Sequence, residues 1–114
     1  MSQTSPPRLP AITHLQVLVL EALSDAEQAG RELRAVLAAH RVRRSAPAFY
    51  QMMARLEDAA FVEGWYEQQV VAGQHLKERR YRITPRGRRA LDEARAFYRE
   101  LLGASRPARK GAHA

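Results

Sequence analysis

The chain has 114 residues and no cysteine, which excludes a disulfide-stapled fold and a thiolate metal site. Its 19 Lys and Arg against 12 Asp and Glu give a formal charge of +7, a balance suited to a polyanion such as nucleic acid or an acidic membrane face, or simply to an arginine-rich solvated surface. A single domain of this size has a modest core, and a second subunit would help to stabilise it.

Residues 1–10 (MSQTSPPRLP) are polar and proline-rich and are expected to be disordered. A first helix is predicted over about Ile12 to Leu23. His14, Gln16 and Glu21 interrupt its apolar run, and it has neither a cationic flank nor a small-residue cleavage site. It therefore reads as a core helix rather than a leader or a membrane span, and with no disulfides a cytoplasmic location is expected. Ser24-Asp25 breaks it and can cap a second helix, about Ala26 to Ala39, with an apolar stripe of Ala29, Leu33, Val36, Leu37 and His40.

The basic turn His40-Arg41-Val42-Arg43-Arg44 follows, and Ser45 caps a third helix. Phe49, Met52, Met53 and Leu56 form its inner stripe, leaving Tyr50, Gln51, Ala54 and Arg55 on the other face. Val62 to Val71 reads as a strand and Ala72-Gly73 as a tight turn. In the returning strand Tyr81 and Ile83 share one face, while Arg80 and Arg82 project from the other. Thr84 is an N-cap, Pro85 suits the first helical position, and a last helix runs to Leu102 with a stripe of Leu91, Ala94, Tyr98, Leu101 and Leu102. Residues 103–114 are small and basic, and are expected to be a disordered tail.

This order predicts a mainly α, α+β chain. Residues 11–84 form a winged helix-turn-helix of three helices and a two-stranded wing, and residues 85–102 add a C-terminal dimerisation helix. Leu15, Leu18, Leu91, Ala94, Tyr98 and Leu101 are the candidate dimer contacts.

In such a fold the third helix enters the major groove and the wing rides the backbone. Arg43, Arg44, Ser45 and Tyr50 have the cations and hydroxyls a phosphate clamp needs, although Ser45 can serve only as a cap and Tyr50 can pack on the second helix. Gln51 and Arg55, four apart on the open face, have the geometry to read adenine and guanine edges; Arg55 can instead pair with Glu57 or Asp58. Lys77, Arg79, Arg80 and Arg82 are candidate backbone or minor-groove contacts, or else solvated strand charges. Catalysis has little support: His14, His40, His75 and His113 lack metal-ligand spacing, no glycine-rich loop follows a strand, and neither a metal nor a cofactor is expected.

Several motifs resemble the PadR family of bacterial transcriptional regulators, in its short form with one C-terminal helix, over about Leu15 to Leu102. Gly30-Arg31-Glu32-Leu33 resembles that family's Gly-Tyr-Glu-Ile stretch, with Arg31 for the aromatic residue. Tyr50-Gln51-Met52-Met53-Ala54-Arg55-Leu56-Glu57 is similar to its third-helix pattern, with Gln51 for Pro and Met53 for Leu. Glu63-Gly64-Trp65 falls where the first wing strand often has a Trp. Arg80-Tyr81-Arg82-Ile83-Thr84-Pro85-Arg86-Gly87 fits the second strand and helix start, and is the most specific match. The Gly-Leu or Gly-Ile pair that often follows the recognition helix is Ala60-Phe61 here.

The resemblance implies a homodimeric, sequence-specific DNA-binding regulator, most often a repressor, on a pseudo-palindromic operator in double-stranded DNA. It also makes Trp65 a candidate contact for a flat, small aromatic effector, against the plainer role of hairpin packing. The alternative from another class is a winged-helix protein-interaction module with non-specific nucleic-acid affinity.

Overall fold

A computed structural model of the chain describes residues 10–104. The expected disordered segments, residues 1–10 and 103–114, fall almost wholly outside that range; Gly103 and Ala104 continue the last helix. The elements are α1 (His14–Leu23), β1 (Gln28–Ala29), α2 (Gly30–Ala39), α3 (Ala46–Asp58), β2 (Val62–Val71), β3 (Gln74–Ile83) and α4 (Pro85–Ala104).

Local chemistry accounts for most boundaries. Thr13 and Gln16 cap α1 reciprocally: the Gln16 amide donates to Thr13 Oγ1 at 3.2 Å, and the Thr13 amide donates to Gln16 Oε1 at 3.0 Å. Ser45 Oγ accepts from the Ala48 amide at 3.2 Å, and Pro47 lies in the first turn of α3, where a missing N–H costs nothing. Both α2 and α3 end in the same motif, with the last turn reversed by a left-handed residue. At the end of α2 that residue is Arg41 (φ 63°); the Val42 amide reaches the Leu37 carbonyl at 2.8 Å and the Arg41 amide reaches Ala38 at 2.9 Å. Ala60 (φ 62°) closes α3, with Phe61 bonding back to Leu56 and Ala60 to Glu57, both at 2.9 Å.

The wing hairpin turns on Ala72 (φ 52°) and Gly73 (φ 79°), two left-handed residues in succession, which matches the right-handed twist of the flanking strands. Its register pairs Val71 with Gln74 and Val62 with Ile83, so Gly64 faces Tyr81 and Tyr66 faces Arg79.

One element departs from expectation. The second helix begins at Gly30 rather than near Ala26, because Gln28 and Ala29 pair with Tyr81 and Arg80 as a third, antiparallel strand in the order β1-β3-β2. Ala29 is fully buried there, and Glu32 Oε1 takes its amide at 2.7 Å. A two-residue strand has no periodicity to detect, and its partner lies some fifty residues away, so tertiary pairing overrides the local helical pattern.

The core is built from Val19, Leu20 and Leu23 of α1, Leu33 and Leu37 of α2, Phe49, Met53 and Leu56 of α3, and Val62, Tyr81 and Leu91. Each large side chain fully buried contributes about 1.5–3 kcal/mol. The last helix is part of this core: Leu91 and Ala94, expected on a dimer face, are buried within the chain itself at 2% and 0% exposure. Tyr98 packs against the same core and hydrogen-bonds His14 Nδ1 at 2.9 Å, and Arg95 forks onto both carboxylate oxygens of Glu21 at 2.7 and 2.8 Å. Leu15 and Leu18 are half-buried against the core, and of the predicted stripe only Leu101 and Leu102 are exposed. The reason is geometric: β3 hands the chain to α4 at Thr84, and α4 then runs back across α1.

Ala60 pays a left-handed penalty of about 1–2 kcal/mol that glycine would not, partly offset by glycine's greater freedom when unfolded. Ala60→Gly is therefore expected to stabilise the protein by about 0.5–1 kcal/mol. At Gly87 a Cβ would fall on the Phe61 carbonyl oxygen, so Gly87→Ala should cost at least about 2 kcal/mol. Urea unfolding followed by circular dichroism measures both.

Candidate nucleic-acid interface

The outward face of α3 carries Tyr50, Gln51, Ala54 and Arg55, all exposed. Inward, Phe49, Met52, Met53 and Leu56 hold the helix to the core, so rotating it would bury charge. Two clefts flank the outward face. On the wing side, a cleft of about 490 Å³ is lined by Tyr50, Ala54, Glu57, Tyr66, Lys77, Arg79 and Tyr81. On the other side, one of about 450 Å³ is lined by residues of the α1 start, including His14 and Gln16, together with Arg44, Gln51 and Arg55. Gln51 and Arg55 thus share one cleft, as residues four apart on a helix must.

The α2–α3 turn is the most cationic surface near α3. Arg41, Arg43 and Arg44 are exposed, and no carboxylate pairs with any of them among the described residues. Arg34 donates to the Arg44 carbonyl at 3.3 Å and, with Arg31, Arg43 and Arg44, lines a third cleft of about 250 Å³ floored by Leu37, Val42 and Phe49. Ser45, exposed, has its hydroxyl engaged as the α3 cap. Tyr50 lies against Gly30, where a Cβ would come within 2.6 Å of the Tyr50 hydroxyl oxygen. Tyr50 therefore packs on α2 through the gap glycine leaves, and its ring remains part of the wing-side cleft.

On the wing the cations have partners. Arg79 Nη2 meets Glu57 Oε1 at 2.6 Å. Arg80, expected to project toward phosphate, is only 16% exposed, hydrogen-bonds Glu78 at 3.3 Å, and has Glu27 and Glu67 at 3.5 and 3.8 Å. Its Nε makes no hydrogen bond of good geometry. Arg82 and Glu63, opposite one another across the hairpin, pair at 2.6 Å but remain well exposed, and a surface pair of this kind contributes only about 0–1 kcal/mol, so Arg82 can exchange carboxylate for phosphate. Lys77 sits 6.0 Å from the Tyr66 ring centre, without a carboxylate partner among the described residues.

Trp65 lies on the opposite face of the wing from Tyr66, with the Arg82 guanidinium over its ring at 5.3 Å, and it lines none of these three clefts. Sequence reading placed Arg41 in the basic turn without making it a contact, missed Arg34 as a member of the cationic surface, and missed Glu57 as a partner of Arg79. The HRVRR run, broken only by Val42, was a usable signal for Arg41; nothing local announces a helix-to-wing ion pair.

The PadR-like family of transcriptional regulators matches residues 19–93, about two thirds of the chain. The chain belongs to that family. Among curated protein sequences none matches. Solved structures share the fold. A transcriptional regulator from Clostridium thermocellum is 17% identical, with a TM-score of 0.65, over 80% of this chain and 85% of its own. A PadR family regulator from Eggerthella lenta DSM 2243 is 27% identical, with a TM-score of 0.61, over 80% and 73%. PadR of Bacillus subtilis, in a structure with operator DNA, is 18% identical with a TM-score of 0.58; the match covers 72% of this chain and 46% of that one. This PadR-like chain thus has the family's winged-helix fold, and among its described residues no helix is long and apolar enough to cross a membrane.

Burial within the wing-side wall pushes the Tyr81 hydroxyl up from its ordinary 10.0 to about 12, with neighbouring Arg79 offsetting part of the effect. The unfolded chain therefore loses this proton near pH 10 while the folded chain keeps it, so stability present below pH 10 is lost progressively between 10 and about 12. Tyr81→Phe should show a shallower alkaline fall, read by comparing urea midpoints at about pH 9 and about pH 11.

Proposed function

We propose that this PadR-like chain is a homodimeric, sequence-specific DNA-binding regulator, acting as a repressor at a pseudo-palindromic operator in the cytoplasm. The observation that carries the reading is the exposed Gln51–Arg55 face of α3, set beside a turn whose Arg41, Arg43 and Arg44 have no carboxylate partners among the described residues. Gln51 and Arg55 read base edges. Arg43, Arg44, Ser45 and Tyr50 clamp one backbone, and Lys77 and Arg82 reach the other from the wing, with Arg79 and Arg80 adding field rather than direct contact. The Bacillus subtilis relative with operator DNA supports this use of the fold.

A second copy would pack at the outer side of α1 and α4, where Leu15, Leu18 and Tyr98 are half-buried and Leu101 is exposed; a two-fold axis there would space two α3 helices for half-sites about 34–36 Å apart. In this assembly Trp65 is the residue offered to a flat aromatic effector. A second reading, a protein-interaction module, is favoured by the wing tip alone: Gln68 to Leu76 contains no charged residue and exposes Val70, Val71 and Leu76.

Selecting bound duplexes from a random pool tests the main reading, with an inverted repeat as the expected result; recovery of unrelated duplexes would favour the second. Gln51→Ala or Arg55→Ala should cost about 1–3 kcal/mol on the selected site and much less on random DNA. Removing Arg43, Arg44 or Arg82 should instead weaken every duplex and lower the salt slope by about one unit each, while Arg80→Ala should lower stability and leave the slope unchanged. Titrations of fluorescent duplexes across a salt series give these quantities.

A further inference from the structure

We propose that the Glu57–Arg79 ion pair is a strut that sets the angle between the recognition helix and the wing, so that Arg79 is a positioning residue for DNA recognition and not a phosphate contact. This rests on the DNA-binding reading above, but its structural part is testable without DNA.

The wing meets α3 at two levels. At its base, the Thr84 amide and hydroxyl hold the carbonyls of Phe61 and Ala60 at 3.1 and 2.6 Å, which fixes where the hairpin starts. On the side away from α3, β1 pairs with Tyr81 and Arg80 and Arg31 of α2 meets Glu78 at 2.7 Å, but neither ties the hairpin to α3 itself. The second level is Glu57, in the last turn of α3, reaching Arg79 Nη2 at 2.6 Å across 22 residues of sequence. The pair is three-quarters shielded, with 23% and 28% of the two side chains exposed, so it is screened less than a surface pair and would leave a poorly solvated charge if broken. Aromatic rings grip the guanidinium, with Tyr66 at 4.8 Å and Tyr81 at 5.6 Å. Space for the pair comes from Gly64: a Cβ there would come within 2.8 Å of Arg79 Nη2, 2.9 Å of Tyr81 Cε1 and 3.0 Å of Glu57 Cδ. One glycine thus lets α3, β2 and β3 meet at a single charged joint.

The lever is long. From Ile83 to Gln74 the strand extends roughly 30 Å at about 3.4 Å per residue, so a tilt of about 10° about its base carries Lys77 about 3.5 Å and the tip about 5 Å. That is close to the roughly 6 Å width of a minor groove. A wing free to swing by that amount would no longer present Lys77 in register with Gln51 and Arg55, while Arg82, beside the hinge, would barely move; recognition geometry tolerates only about 10–20°.

The chain lacks cysteine, so Gln74→Cys at the wing tip and Glu93→Cys on exposed α4 can be spin-labelled in the otherwise unaltered protein. Glu57→Gln and Arg79→Met should each broaden the label-to-label distance distribution about twofold, and the exchange Glu57→Arg with Arg79→Glu should narrow it again. On the selected duplex the single variants should lose about tenfold in affinity, with the salt slope on random DNA unchanged. An unaltered distribution in both single variants overturns the proposal. So does an Arg79→Met protein whose distances are intact and whose salt slope falls by about one unit, because that is a phosphate contact. If Arg79→Met fails to fold, Arg79→Lys keeps the charge with a less directional donor and should give an intermediate width; wild-type width with full affinity would count against the strut. Failure of the wild-type protein to bind any selected duplex would sink the DNA reading alone, since the distances would still report the joint.

Discussion

Everything downstream of α3 hangs on Thr84. Its hydroxyl donates to the Ala60 carbonyl at 2.6 Å and accepts from the Gly87 amide at 2.9 Å, while its own amide donates to Phe61 at 3.1 Å. Arg86 adds a bond to the Ala59 carbonyl at 2.9 Å. Groups at helix ends are left unsatisfied by the helix itself; here Thr84 and Arg86 donate to the carbonyls of Ala59, Ala60 and Phe61 just past α3, and the Thr84 hydroxyl takes the Gly87 amide in the first turn of α4. The consequence is architectural. Closing α3 and opening α4 at one point forces the twenty residues between Val62 and Ile83 out as a hairpin and sends α4 back over α1.

That same knot explains why α4 belongs to the core. Once Pro85 starts at the foot of α3, the stripe of Leu91, Ala94 and Tyr98 has the core directly beneath it. The DNA-binding unit and the last helix are then one cooperative body, tied further by Arg95 to Glu21 and Tyr98 to His14. Any motion at a subunit interface built on α1 and α4 would reach α3 through packed side chains rather than through a linker.

Charge is distributed differently from what the strand sequence implies. The wing, residues 62–83, has four cations but also three glutamates, and Glu27 and Glu57 approach from outside it. Arginine on this hairpin therefore works partly as structure, binding strands and helix together, while Arg41, Arg43 and Arg44 on the α2–α3 turn have no carboxylate partner among the described residues. For a DNA-binding reading this division is economical: the rigid parts are held by paired charges, and the phosphate-seeking charges are left on a short, well-anchored turn.

The positions of α1, α3, α4 and the two wing strands, the hairpin turn at Ala72-Gly73, and the caps at Ser45 and Thr84 were legible from the sequence, because each depends on neighbours within a few residues and on a period that one strand or helix can display by itself. The open face of α3 was legible for the same reason: Gln51 and Arg55 are outside because Phe49, Met52, Met53 and Leu56 are inside. What the tertiary structure alone decided are the pairings between distant segments. Strand β1 exists only because Tyr81 and Arg80 lie beside it, and Leu91 and Ala94 are core only because Thr84 aims α4 at α1. Arg79 and Arg80 are neutralised by glutamates that no spacing rule connects to them. An alternating strand reports which face a side chain takes, but not which charge will be waiting there, since that depends on chain segments brought together only when the core closes.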